Sequence, residues 1–476
     1  MNFKRIICFL SVFLCAVLYA ETLEEVIQQA ENAIAEKYKT PIAKKSAEKK
    51  LLAIIEDSKL PDEQKIETIK KQFPVEKQSQ KTQDGDTETH YELGKNYLEN
   101  GEYDKAISWL EKASSNNHKQ AKELLKICIA ATQGMRFSKD YKTLVKFYDH
   151  KRSECVIPEW VTAIGDKAFL GCKNLQSVTI PNSVTTIGKD AFFGCNNLQN
   201  VTIGNSVTTI GKYAFAYCSK LQSVTIPNSV TEIGEEAFTY CSKLQSVTIS
   251  NSVTTIGRSA FAFCKNLQSV TIPNSVTTIG KDAFAYCSNL QSVTIPNSVT
   301  TIEGGAFNGC YNLQSVTIPN SVTTIGRSAF AFCKNLQSVT IPNSVTTIED
   351  GAFFGCYNLQ SVTIPNSVTT IGERAFKECK KLQSVTIPNS VTEIGEEAFK
   401  ECKKLQSVTI GNSVTTIGER AFFGCYNLQS VTIPNSVTTI GKDAFAYCYN
   451  LKEVRVPKNC KLEYGTFPFD CTVIEY

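Results

Sequence analysis

Thirteen cysteines stand at Cys172, Cys195, Cys218, Cys241, Cys264, Cys287, Cys310, Cys333, Cys356, Cys379, Cys402, Cys425 and Cys448, each 23 residues from the next. Thiols in such number suggest disulfides, metal ligation or nucleophilic chemistry. Disulfides fit poorly, because equivalent positions in stacked units point in parallel and not at one another. A ladder of free, buried thiols acting as small apolar side chains is expected instead. A zinc site lacks other ligands: His90, His118 and His150 all lie outside the array, and no CxxC pair occurs. The same placement removes Cys/His and Ser/His/Asp catalysis from the array. Acidic pairs such as Glu235 and Glu236 read as solvated charge, since glycoside hydrolysis needs two carboxylates facing across a cleft. No catalytic residue, metal ligand or cofactor site is assigned, and no enzyme is expected.

The remaining polar chemistry lies between the cysteines. Each unit reads like CKNLQSVTIPNSVTTIGKDAF (Cys172–Phe192), with apolar positions at Cys172, Leu175, Val178, Ile180, Val184, Ile187, Ala191 and Phe192. Val178 and Ile180 alternate with Ser177 and Thr179, the period of a strand with one buried face. Pro181 and Asn182 end that strand. From Lys189 to Cys195 there is room for one or two helical turns, with Gly188 expected to supply the backbone angle that starts them. Ser177 and Thr179, repeated as Ser223, Thr225, Ser269, Thr271, Ser292, Thr294, Ser315 and Thr317, then form files of hydroxyls, flanked by Gln176, on a solvent-facing sheet. Such a face suits many weak, identical contacts to a polymeric ligand. Equally, Ser and Thr are simply good solvent-facing strand residues. Variation concentrates on the other side, where Lys189 and Asp190 correspond to Glu235 and Glu236, to Arg258 and Ser259, and to Glu373 and Arg374.

A 23-residue unit cannot bury its apolar face alone, and a fixed period of this length means a solenoid whose coils bury one another. Thirteen parallel strands about 4.8 Å apart would extend on the order of 60 Å. The chain resembles the BspA-like leucine-rich repeats, the 23-residue class found in exported proteins of host-associated bacteria and some protists. The resemblance covers 156–456 and rests on the string IPxSVxxIGxxAFxxC, with Ser183 in place of the usual asparagine. It implies an α/β repeat solenoid of parallel strands with short helical turns, and a role in attachment to host matrix proteins or other cells.

Residues 1–20 carry Lys4 and Arg5, an apolar run from Ile6 to Leu18, and Ala20 before Glu21. That pattern reads as a secretory signal peptide, too short for a span of about 20 apolar residues. Cys15 could instead take a lipid, which Leu14 disfavours. Residues 21–73 suggest about three short helices divided by Pro41 and Pro61, with Leu23, Val26, Ile27, Ala30 and Ile34 at helical spacing. Residues 74–89 are almost devoid of apolar side chains and read as a linker. Residues 90–131 place Tyr91, Leu93, Gly94, Tyr97, Gly101, Tyr103, Ala106, Trp109, Leu110 and Ala113 where tetratricopeptide and Sel1-like repeats, which this region resembles, place their packing residues. Residues 132–155 lead into the array as an N-terminal cap; there Cys155 stands where Val178 does, and just beyond it Trp160 is large enough to cover an open end. Residues 457–476 read as a C-terminal cap, in which Cys460 and Cys471 are either bonded or free.

Net charge is only +4 on 476 residues, with Lys and Glu interspersed, so neither nucleic acid nor an anionic membrane is indicated as a partner. Hydrophobic residues at 42 % allow a continuous core. The expected protein is exported, at the cell surface or secreted, with no membrane span after signal removal. It binds proteins or glycans through a multivalent face as an adhesin. The rival expectation is a periplasmic scaffold, in which the helical region docks a partner and the solenoid is a spacer. Ser252–Ile279 recurs letter for letter at Ser321–Ile348, which points to duplication of a three-coil block and suits either reading better than a fixed active site.

Overall fold

The computed structural model describes residues 23–37, 41–57, 59–72 and 83–476. The signal-peptide reading and Cys15 lie outside the described residues. The described residues fall into two compact units, one drawn from residues 23–93 with 112–118 and the other from residues 94–111 with 119–476.

In the first unit, helices α1 (Leu23–Lys37), α2 (Pro41–Ile55) and α3 (Asp62–Gln72) pack together. Val26, Ile27, Ala30 and Ile34 of α1 meet Ala47, Leu51 and Ile55 of α2 and Ile69 of α3. Their spacing of three and four residues puts each set on one helix face. Pro41 begins α2, where the missing N–H has no intrahelical partner to lose. Helix α4 spans Gln83–Glu99 and so begins inside the polar stretch read as a linker. The polar start is held by tertiary contacts that composition does not reveal: Asn116 Nδ2 donates to Thr87 Oγ1 at 3.1 Å, and Tyr91 stacks on His118 with centroids 4.3 Å apart.

The second unit contains α5 (Tyr103–Ser115) in part, α6 (Lys119–Thr132), and then the array. Gly94 lets neighbouring helices approach, since a Cβ there would lie 2.6 Å from Leu110 Cγ. Strands β1 (Met135–Phe137) and β2 (Thr143–Phe147) form an antiparallel hairpin, and β3 (Glu154–Val156) and β4 (Ala163–Ile164) make the first coil. Cys155 pairs with Val178 across that coil boundary, in the column expected for it. Trp160 is partly buried against the core, 6.3 Å from Phe137.

Each coil carries two strands. The three-residue one, β5 (Ser177–Thr179) in the first full coil, is that expected from alternation. The two-residue one, β6 (Thr186–Ile187), joins a continuous sixteen-stranded sheet beginning with β1 and β2. Alternation could not announce it, because two residues are too few to show a period. The three-residue strands do not run unbroken; they divide into five ladders of two to five strands. The Gln176 position still bridges the breaks, as where Gln222 N donates to Gln199 O at 3.2 Å.

The stretch after Gly188 is a succession of turns and not helix. Phe193 N bonds Asp190 O, while Phe192 N bonds Ala214 O of the next coil at 2.7 Å, so alternate amides leave the coil. Asp190 (φ 54°) and Gly194 (φ 71°) adopt left-handed angles that interrupt helical propagation. Gly188 itself does not, which corrects its expected role. A Cβ on it would lie 2.6 Å from Asp166 Oδ1 and 2.7 Å from Asp166 N, so glycine is needed for close approach of adjacent coils.

Inside, Phe169 to Phe467 form one file of rings with centroids 4.6–5.6 Å apart and planes within 14° of parallel. Leu, Val, Ile, Ala and Cys columns pack beside it. No helix among the described residues is long and apolar enough to cross a membrane.

Candidate binding face and thiol ladder

The thirteen array cysteines are free and buried. They are more than apolar filler. From Cys195 onward each thiol donates to a phenylalanine carbonyl 26 residues earlier, as Cys195 Sγ to Phe169 O at 3.1 Å and Cys448 Sγ to Phe422 O at 3.2 Å. That carbonyl already accepts an amide within its own coil, Cys172 N to Phe169 O at 3.1 Å, so the thiol fills its second lone pair. Burial disfavours the thiolate, pushing Cys287 up to about 12 and Cys218, Cys264 and Cys333 well above the ordinary value. In native protein at pH 8 these thiols should resist maleimide, with half-buried Cys460 and Cys471 reacting first. Mass spectrometry after timed quenching checks this, and fast labelling of most ladder thiols would contradict it.

The first rung departs from the rest. Cys172 Sγ lies 3.7 Å from His150 Nδ1. This corrects the expectation that no histidine serves the array: the hairpin returns His150, 22 residues upstream, onto the end of the ladder. Cys172 is 1 % exposed, so no substrate reaches the pair, and it closes the ladder. Cys460 and Cys471 are free thiols. Cys460 precedes Lys461–Leu462 in the long sheet and Cys471 precedes Thr472–Glu475 in another, so they belong to different sheets.

On the variable turn side many charges pair within the protein, although the side chains of Lys189, Asp190 and Arg258 make no ion pair among the described residues. Lys212 Nζ meets Glu235 Oε2 at 2.9 Å, Tyr213 donates to Glu236, and Arg327 pairs with Asp350, each across one coil boundary. Glu397 is 5 % exposed; burial opposes its charge, yet hydrogen bonds from Lys377, Lys400 and Arg374 at 2.5–2.8 Å hold its carboxyl down to about 2. Tyr217, Tyr240, Phe263 and Tyr286 stack face to face at 4.3–4.8 Å, while Lys380 Nζ sits 4.0 Å over Tyr357. The ring faces that would receive a ligand are occupied by neighbours.

Two other hydroxyl columns are engaged, while that of Thr186, Thr255 and Thr278 is not. Ser275 Oγ donates to Val253 O at 2.6 Å and Thr208 Oγ1 to Thr185 O at 3.1 Å, a pattern repeated in most coils. Asparagines form a ladder of their own at Asn289, Asn312, Asn335 and Asn358, with amide bonds of 3.1–3.3 Å. The three-residue strands differ. Gln176, Thr179, Ser223, Thr225, Ser269, Thr271, Ser292, Thr294, Ser315 and Thr317 are exposed and Ser177 half-buried. Their side chains make no hydrogen bond among the described residues. Register aligns them, Ser269 beside Ser292 and Thr271 beside Thr294. The structure brings the residues into files within each ladder, interrupted where ladders end, and leaves their donors and acceptors to solvent.

A cleft of about 550 Å³ lies elsewhere in the same unit, lined by residues including Leu98, Gly101, Tyr103, Met135, Phe137 and Tyr141. Sequence reasoning missed it, because its walls come from helix ends and a hairpin that no local pattern joins.

The family described as BspA type leucine rich repeat region (6 copies) matches residues 145–268, 254–383 and 346–475. A leucine-rich repeat protein from Bacteroides ovatus is 31 % identical with a TM-score of 0.60, covering 72 % of this chain and 97 % of that one. A leucine rich cell surface protein from Faecalibacterium prausnitzii is 33 % identical with a TM-score of 0.44, covering 67 % and 92 %. No curated protein matches in sequence.

Proposed function

This chain belongs to the BspA-type leucine-rich repeat family, and from that premise we propose that it is a non-enzymatic, exported binding protein displayed at the cell surface as an adhesin. One observation carries the reading: the hydroxyls of the three-residue strands, with the Gln176 column beside them, are aligned, exposed and repeated polar groups that make no hydrogen bond among the described residues. A polar group already bonded internally gains little from a ligand, whereas an aligned free one can exchange water for a partner in every coil. A polymer, whether an extended protein or a glycan, then binds through many weak contacts. The apolar run and basic start of residues 1–20 support export.

The cleft near Tyr103 and Met135 favours a second reading, a periplasmic scaffold that holds a partner there while the coils act as a spacer. Lysine labelling of intact cells with a membrane-impermeant reagent separates the two, with a periplasmic protein as leakage control. Labelled array lysines and an unlabelled control are expected. Protection until the envelope is opened would overturn the surface reading in favour of the scaffold.

A further inference from the structure

The array sorts its charges by side. In twelve consecutive coils, the half that runs from each cysteine to the second valine after it, as Cys172–Val184, holds nine lysines in all and no Asp, Glu, Arg or His. The other half, Thr185 to Gly194 and its equivalents, carries both signs. The cation-only half is the one that bears the exposed Ser and Thr files of the three-residue strands. Carboxylates return to it only outside those coils, at Glu154 and Glu159 before them and Glu453 after. Lysine gathers at two places. Lys220 and Lys243 stand one above the other in adjacent coils, where Lys243 N donates to Ser219 O at 3.1 Å; Lys381 and Lys404 repeat the arrangement, with Lys404 N donating to Lys380 O at 3.2 Å. In the other array coils this column is asparagine. All four lysines are exposed and make no ion pair among the described residues. Lys380 and Lys403 beside them are instead held by Glu378 at 3.3 Å and Glu401 at 3.2 Å. Each free pair flanks an unbroken ladder, in which Ser223 pairs with Ser246 and Ser384 with Ser407. Seven coils separate the pairs, about 34 Å at about 4.8 Å per coil.

We infer that the polymer held by this face is an anionic polysaccharide, a hydroxyl-rich chain bearing sulfate or carboxylate groups. The inference rests on the proposed function, because it names the ligand class of the same face. The strand hydroxyls and the Gln176 column exchange hydrogen bonds with sugar hydroxyls along the chain, and each lysine pair meets an anionic group through charge-assisted hydrogen bonds. No carboxylate on that half of the twelve coils competes for the lysines or repels the ligand. A neutral glycan would leave the four ammonium groups without partners. A nucleic acid would call for exposed rings on which bases stack, and the strand columns carry none. A protein would call for pockets that take its anchoring side chains, and columns of Gln, Ser and Thr offer none.

The test is surface plasmon resonance of the purified full chain on immobilised heparin, hyaluronan and dextran over a range of salt. Heparin or hyaluronan should bind at least about tenfold more tightly than neutral dextran, and less tightly as salt rises. Preference for heparin assigns sulfate, and preference for hyaluronan assigns carboxylate. The combined variant Lys220→Asn, Lys243→Asn, Lys381→Asn and Lys404→Asn installs the residue that the column holds elsewhere, so the fold is kept, which circular dichroism checks. It should lose at least about tenfold in affinity for the anionic glycan and show a flatter salt dependence. Lys189→Gln, Arg258→Gln, Lys281→Gln and Lys442→Gln together remove the same charge from the turn half and should change affinity less than about twofold. Equal losses in the two variants would reduce the effect to net charge and overturn the inference. Dextran or a matrix protein bound as tightly as heparin, with the asparagine variant unchanged, would also overturn it and leave the proposed function standing. Failure of the intact-cell labelling leaves this assay untouched, because it uses purified protein.

Discussion

Phe307→Ala is expected to destabilise the array by about 3–5 kcal/mol, the range for removing a buried aromatic ring. Phe307 is fully buried, with Phe284 at 5.5 Å on one side and Phe330 at 5.4 Å on the other. Neither neighbour can fill the gap, because its own position is fixed by the next ring and by hydrogen bonds from its backbone, Phe284 N to Ala306 O and Phe330 N to Ala352 O, both 2.8 Å. The ring file therefore transmits the defect along the stack and cannot collapse around it. Coils couple only to nearest neighbours, so a weakened boundary should also split unfolding into two transitions. Urea denaturation followed by circular dichroism measures both. Tyr240→Ala, at a part-exposed position stacked on Tyr217 and Phe263, should cost less, about 1–3 kcal/mol. A Phe307→Ala protein that still unfolds in one step with less than about 1 kcal/mol lost would show that the ring file does not organise the array.

The period, the buried columns and the three-residue strand were legible because one pattern, written thirteen times, averages away local accident. Cys155 was placed in the column of Val178 by that alignment alone, and the structure pairs them. What escaped has physical causes. The long sheet is built from Thr-Ile pairs too short for alternation to register. Left-handed turn positions hold Asp190 and Tyr217 as well as glycine, since hydrogen bonds to the next coil stabilise an angle that local propensity would not select. Gly188 was recognised as special for the wrong reason, because a sequence shows a missing side chain but not the neighbouring backbone that requires its absence.

Part of the candidate face was equally legible. Alternation put Ser177 and Thr179 outside, but could not tell a free hydroxyl from an engaged one. Thr179 and Thr185 look alike in sequence, yet Thr185 Oγ1 donates to Thr162 O at 3.2 Å and Thr179 bonds nothing among the described residues. Nor could it reveal that many of the turn-side charges, which vary most, pair with one another, as Lys212 with Glu235 and Arg327 with Asp350. The His150 contact depends on a hairpin that folds back over the first coil, a tertiary event without a local signal.

Removing residues 252–320 tests the binding account most directly. Because Ser252–Ile279 and Ser321–Ile348 are identical, the deletion excises three coils and rejoins the chain at a native sequence. Every remaining coil keeps a native neighbour, so the shortened protein should fold. If each lost coil contributed a net hydrogen-bond energy of about 0.5–1.5 kcal/mol to a polymeric ligand, affinity should fall about ten- to a thousandfold. The measurement is surface plasmon resonance of the full chain and the deletion against immobilised matrix proteins and glycans. A large loss in affinity for whichever polymer the full chain binds is predicted. Unchanged affinity would place recognition at one local site and contradict a distributed hydroxyl face.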